Sequence, residues 1–235
     1  MDIAVYNVWY YAALAFGTFT AIVWTYRTLC MLGRSFGFGT KCTLERYGKG
    51  SWAVITGATD GIGKAATIYL AREGFNVVLI SRTLSKLEAV AKEVKELAKE
   101  RGKDIETRVV VNDFTKNFDA DTFDKMYREH LKELDVSILV NNVGMVSPIG
   151  YPFFENTPQD VHNVMTCNMY PNVLLTREVV DSFKRRFEQK KARSAIVFTS
   201  AMASLAPIDG AGSYAASKIF SDFMCWGLSY ELAKY

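Results

Sequence analysis

Metal-binding and disulfide patterns are missing from this sequence. Its four cysteines, Cys30, Cys42, Cys167 and Cys225, lie far apart, and no Cys-x-x-Cys pair occurs. Two of them sit in strongly apolar surroundings, which reads as reduced thiols in a cytosol-facing protein. The two histidines, His130 and His162, have no companion at ligand spacing, so no metal is expected. The net charge of +3 reads as spread along the chain, and nothing in it calls for nucleic acid as a partner. No internal repeat or low-complexity tract occurs either. What is present suits a globular chain: 49% hydrophobic and 23% charged residues over 235 positions fit one sizeable core plus an appendage.

The apolar residues concentrate at one end. From Val5 to Leu32 only Asn7 and Arg27 are strongly polar, and the stretch exceeds the roughly 20 residues that cross a bilayer. Trp9, Tyr10 and Tyr11 at one end and Trp24 and Tyr26 at the other resemble interfacial aromatic belts. A cleaved signal peptide fits poorly, because no basic region precedes the stretch and no clear small-residue cleavage site follows it. The leading flank carries only Asp2, whereas Arg27, Arg34, Lys41, Arg46 and Lys49 lie on the trailing side. The positive-inside rule therefore puts the C-terminal part in the cytosol. We expect an anchor helix over 1–34, a glycine-containing connector over 35–50 and a folded domain over 51–235.

Within that domain β-branched runs alternate with amphipathic stretches. Strands are predicted at WAVIT, NVVLI, ETRVVV, VSILV and SAIVFT, separated by helices over about 61–73, 84–100, 120–131 and 159–189, with a last helix over 213–234. This order argues for an α/β fold with a doubly wound, parallel, Rossmann-like sheet.

The first strand runs into TGATDGIG, which places Gly57, Thr59, Asp60, Gly61, Ile62 and Gly63 at a strand-to-helix turn. Glycine there lets the backbone turn sharply and approach a pyrophosphate, whose charge rests on the helix N-terminus. The second strand ends Ile80, Ser81, Arg82, without the acid that would bind the ribose hydroxyls of NAD. Arg82 offers instead a fixed cationic fork for a 2′-phosphate, so NADPH is expected over NADH.

Two further segments follow strand ends, where an open α/β sheet forms its ligand crevice: NNVG, with Asn141 and Gly144, and TSAMAS before SYAASK. Tyr214 and Lys218 are four residues apart on a predicted helix and so share a face. An ammonium beside a phenol stabilises the phenolate, which makes Tyr214 a usable general acid, and the same ammonium suits a cofactor ribose.

With TGATDGIG, NNVG and YAASK together, the chain resembles the short-chain dehydrogenase/reductase family over residues 51–235. YGKGSWAVITGATDGIGKA, VVLISRTLSKLE, ILVNNVGM and the apolar N-terminal segment make it similar to the membrane-bound group of 17-beta-hydroxysteroid dehydrogenases and very-long-chain 3-oxoacyl-CoA reductases. The resemblance implies NADPH-dependent ketone reduction at the endoplasmic reticulum membrane. Tyr214 would be the acid, Lys218 the ribose anchor, Asn168 the residue that positions a proton-relay water, and Asp113 an adenine contact. Pro171 would kink the helix that carries Asn168. The family serine lies thirteen positions before the tyrosine, which here is Ala201. A one-residue insertion in MASLAPIDGAG brings Ser200 into register, with Ser204 the less favoured substitute.

The sequence stops at Tyr235, near the end of the helix that carries the pair. The resemblance implies a sixth and a seventh strand and a substrate-covering segment, so a C-terminally truncated sheet is expected here. The substrate reading stays open between a (very-)long-chain 3-oxoacyl-CoA in fatty acid elongation and a steroid ketone. A catalytically inactive nucleotide-binding or partner-binding form is a further alternative. Homo-oligomers and elongation-complex partners are left open.

Overall fold

The structure, a computed structural model, describes residues 3–35, 44–116, 119–146, 152–206 and 208–234. The chain falls into two compact units that divide between Thr43 and Leu44.

The first unit contains α1 (Ile3–Ser35), a 33-residue helix. At 1.5 Å per residue it is about 50 Å long, against roughly 30 Å of bilayer hydrocarbon. Residues 7–33 are long and apolar enough, by length and composition, to cross a membrane. The hydroxyls of Thr18, Thr20 and Thr28 donate back to the carbonyls of Leu14, Phe16 and Trp24 at 2.9–3.0 Å. Such bonds satisfy each hydroxyl within the helix.

The second unit is a parallel sheet wrapped by helices. In chain order it contains β1 (Trp52–Thr56), α2 (Gly61–Arg72), β2 (Asn76–Ser81), α3 (Leu84–Glu100), β3 (Thr107–Val111) and α4 (Ala120–His130). It continues with β4 (Val136–Asn141), α5 (Pro158–Lys190), β5 (Ala195–Phe198) and α6 (Gly212–Glu231). The strand order is β3-β2-β1-β4-β5, and every pairing is parallel. Order reverses at β1, which has β2 on one side and β4 on the other. The expected α/β, doubly wound, Rossmann-like sheet is therefore observed, with element limits within a residue or two of those read from the sequence, except that the last helix ends three residues earlier, at Glu231.

Hydrophobic runs explain the strands, because β1, β2 and β4 are covered on both faces. Successive side chains alternate between two apolar layers. Val54, Ile80 and Leu139 pack with Phe123 of α4 and Leu175 of α5, while Ile55, Leu79 and Val140 pack with Leu70 of α2 and Leu87 and Val94 of α3. A capping box at Thr157 and Asp160 starts α5. The helix then continues through Pro171, which has no N–H to give one turn back.

The unit begins earlier than the composition suggests. Leu44–Tyr47 forms a 3-10 turn whose Leu44 and Tyr47 pack partly buried on the second apolar layer. Arg186, 5% exposed, donates to the Tyr47 carbonyl and pairs with Asp135 at 2.5 Å. Burial works to raise the Asp135 pKa, but Arg186 and Lys190 outweigh it and hold the carboxyl below its usual value. Removing the guanidinium by Arg186→Ala should cost about 2 kcal/mol, below the ~3–5 of a fully buried pair because Asp135 is partly exposed. The Asp135 part of this stability is complete above the ordinary carboxylate value of 3.8 and fades as pH falls through the lower folded value. Urea titrations of the two proteins should therefore differ at neutral pH and draw closer in acid, where only the Tyr47 bond of Arg186 is left; equal midpoints at neutral pH would remove this role for Arg186.

Candidate functional site

A cleft of about 460 Å³ opens over the C-terminal ends of the strands, on either side of the order reversal at β1. Its walls are the turn after β1, the ends of β2 and β3, the segment after β4 and Cys167 of α5. A concavity of about 570 Å³ between α5 and α6, near Val173 and Met224, is larger but holds none of the motif residues. Volume alone does not select the site.

Backbone geometry explains the glycines of the first wall. Gly57 and Gly61 have φ of +65° and +51°, the left-handed region that side chains disfavour. A Cβ on Gly63 would overlap the Gly57 carbonyl and the Asn142 amide. Asp60 caps α2 by accepting from Gly61 N at 2.7 Å. Gly57 N donates to Ile80 O at 2.8 Å and Thr59 Oγ1 lies 3.1 Å from Ser81 Oγ, which ties the turn to the end of β2. Ile62 is 66% exposed and its side chain does not line the cleft, so it can offer only its N–H in the first turn of α2.

At the far wall Arg82 is exposed and faces the cleft with Asp113 and Thr115. Burial tends to raise the Asp113 pKa, but the Thr115 hydroxyl and N–H, then Lys116 and Arg82, outweigh it and keep the carboxyl below its usual value. Cys167 forms part of the floor, and burial pushes its thiol up to about 11. That thiol is a packing group rather than a nucleophile at neutral pH.

The segment after β4 departs from the sequence reading. Asn141 is buried and donates to Thr176 Oγ1 of α5 at 2.8 Å, away from the cleft. Strand alternation sends the next residue the other way. Asn142 lines the cleft, donates to the carbonyls of Thr56 and Gly57 at 3.1 and 3.4 Å, and accepts from Thr199 Oγ1 at 3.2 Å. The alternation of VSILVNN is the signal that could have singled out Asn142. Thr56, Ser81 and Met145 lie within the quoted motifs and Asn112 outside them; none was singled out as a site residue, and each borders or braces the cleft.

Lys218 and Asn168 meet beside Gly144, which itself lines the cleft. Lys218 is 5% exposed; its Nζ donates to Thr199 O at 2.9 Å, lies 5.7 Å from the Tyr214 ring centroid and 3.4 Å from the position of a Cβ on Gly144. Burial pulls the Lys218 ammonium below the usual lysine value, against Cys167 and Asp222. Asn168 is 1% exposed with its side chain saturated: Oδ1 accepts from Met145 N at 2.8 Å, and Nδ2 donates to Met145 O and Ser217 Oγ, each at 2.9 Å. Its side chain holds the segment after β4 against α6, and its backbone carbonyl accepts from Asn172 Nδ2 at 2.9 Å. Ser200 follows Thr199 directly, and its hydroxyl donates to Ser204 Oγ at 3.4 Å, while Ser204 is turned to the Ala201 carbonyl. Thus Lys218 and Asn168 gather at Gly144, Tyr214 stands beside Lys218, Ser200 adjoins the lysine contact, and Asn141 stays outside.

The cradle fits a dinucleotide: glycines open one wall, an exposed arginine stands at the other, and a buried ammonium lies beside Gly144. Comparison with known proteins agrees. The short chain dehydrogenase family matches residues 51–235. A very-long-chain 3-oxoacyl-CoA reductase of Schizosaccharomyces pombe is 35% identical over 226 residues, covering 95% of this chain and 62% of that protein. The same-named protein of Ajellomyces capsulatus is 36% identical over 82% of this chain and 54% of its own length. The chain thus spans between half and two thirds of the length of these relatives. Among solved structures, the bulky-bulky ketone specific alcohol dehydrogenase from Comamonas testosteroni superposes with a TM-score of 0.65 at 28% identity, over 78% of this chain and 68% of that one. A metagenomic short-chain oxidoreductase in complex with NADP gives 0.67 at 26% identity, over 80% and 79%. On its motifs, its fold and its match over residues 51–235, this chain belongs to the short-chain dehydrogenase family.

Proposed function

We propose that this chain carries the cofactor site and the proton-donating pair of an NADPH-dependent ketone reductase that acts on a (very-)long-chain 3-oxoacyl-CoA. The observation that carries the reading is the buried Lys218 ammonium, which lies beside Gly144 of the cleft and 5.7 Å from the Tyr214 ring centroid, with Arg82 at the other wall. The substrate class rests on the names of the relatives from two fungi. Anchoring of the cytosol-facing domain at the endoplasmic reticulum membrane rests on α1 and the basic flank that follows it.

Gly57, Gly61 and Gly63 let the backbone approach a pyrophosphate, Arg82 takes a 2′-phosphate, Asp113 borders the adenine end and Lys218 a ribose. When bound, the nicotinamide supplies hydride to the ketone carbon. Tyr214 donates its phenolic proton to the ketone oxygen, and Ser200 donates a hydrogen bond to the same oxygen as charge develops there. The Lys218 ammonium stabilises the phenolate left on Tyr214.

Two substitutions test this reading. Arg82→Ala should weaken NADPH binding about tenfold or more, in line with loss of a charge-assisted bond, and leave NADH unchanged. An unaltered NADPH-to-NADH ratio in fluorescence titrations would remove Arg82 from the site. Tyr214→Phe should lower the rate of 3-oxoacyl-CoA-dependent NADPH oxidation by at least ~10²-fold while NADPH still binds. Undiminished oxidation by that variant would refute the acid role.

A further inference from the structure

The stretch 184–193, KRRFEQKKAR, holds six of the 28 basic residues and one of the 25 acidic ones, so it carries net +5 while the rest of the chain is net −2. Reading the charge as evenly spread overlooked this concentration. The stretch is the last two turns of α5 and the residues before β5, at the end of the sheet opposite the cleft. Lys132, Arg185, Arg186 and Lys190 border one groove there, and Asp135 is the single acid in its wall. Cations in the last turn complement the α5 dipole. That accounts for Lys190 and Lys191 but for neither Lys132 nor Arg185.

The chain enters the domain at this same end, where Arg186 grips Tyr47 and where Arg46 and Lys49 are exposed. Only residues 36–43 separate this entry from α1, a reach of at most about 30 Å for a fully extended chain. We infer that the basic end, centred on Lys132, Arg185, Lys190 and Lys191, is a docking surface for an anionic lipid bilayer, which turns the cleft away from the membrane plane. The inference rests on the membrane-anchor reading of α1. Negatively charged headgroups would gain about fivefold in partitioning for each basic side chain brought near them, and salt would screen the gain.

The full chain reconstituted into phosphatidylcholine vesicles, with and without phosphatidylserine, provides the test. Lysines are acylated with a membrane-impermeant sulfosuccinimidyl acetate and read by mass spectrometry, with the exposed Lys86 at the cleft end as internal reference. Phosphatidylserine should slow acylation of Lys132, Lys190 and Lys191 about fivefold or more, with Lys86 unchanged and the effect abolished by high salt. Lys132→Gln/Lys191→Gln should lessen the remaining protection at Lys190. Equal rates in both vesicles, with the chain floating alongside each, would overturn the docking surface and leave the anchor standing. Flotation only with phosphatidylserine at low salt, with the three lysines protected, would remove the anchor and keep the surface. Protection by added RNA but not by phosphatidylserine would overturn it in favour of a nucleic-acid surface.

Discussion

How closely three strand ends approach one another decides the shape of the site. Asn142 stands where β1, β4 and β5 converge: its amide donates to the Thr56 and Gly57 carbonyls, and its carbonyl oxygen accepts from Thr199. Thr56 Oγ1 accepts from the N–H groups of Asn142 and Val143 at 2.9 and 3.0 Å, so the segment after β4 is pinned on β1. Only a residue without a side chain fits at Gly63 against this knot. Because α2 can begin so close to β1, the turn at Gly57 and Gly61 leaves open backbone toward the cleft. A looser knot would move that wall and the Lys218 contact at Thr199 together.

A second polar seam aligns the proton-donating side. Asn168 and Asn172, one turn apart on α5, donate to Ser217 and Ser221, one turn apart on α6, at 2.9 and 2.8 Å. All four are buried. Within a low-dielectric interior each such bond is costly to lose, and together they specify the register of one helix on the other more tightly than apolar contact does. Ser217 lies between Tyr214 and Lys218 in the chain and bonds back to the Tyr214 carbonyl at 2.7 Å, so this register also sets the pair. The cleft and the pair are thus placed by separate networks that meet at Met145, which bonds to Asn168 through both its N–H and its carbonyl.

Much of this was legible in the sequence because local chemistry dictated it. Continuous β-branched runs gave the strands, TGATDGIG gave a turn that needs positive φ, and i,i+4 spacing gave the shared face of Tyr214 and Lys218. What was not legible depended on orientation. Of two adjacent asparagines, only alternation along β4 decides that Asn142 faces the cleft while Asn141 bonds to Thr176. The side chain of Asn168 is consumed in bracing, which no spacing rule reveals. The early start of the domain at Leu44 was hidden as well, since it depends on Arg186, 139 positions away from Tyr47. The basic end was diluted in the chain-wide charge count and emerges only once α5, the residues after it and Lys132 are seen together.

The central claim is that close packing of Gly63 on Gly57 and Asn142 builds the nucleotide cradle. Equilibrium titration of the full chain in detergent with NADPH, followed by energy transfer from protein fluorescence, tests it when Gly63→Ala is measured beside the unaltered protein. The account predicts saturable binding by the unaltered chain and none by Gly63→Ala at unchanged helical content. Equal affinity in the two proteins would contradict it.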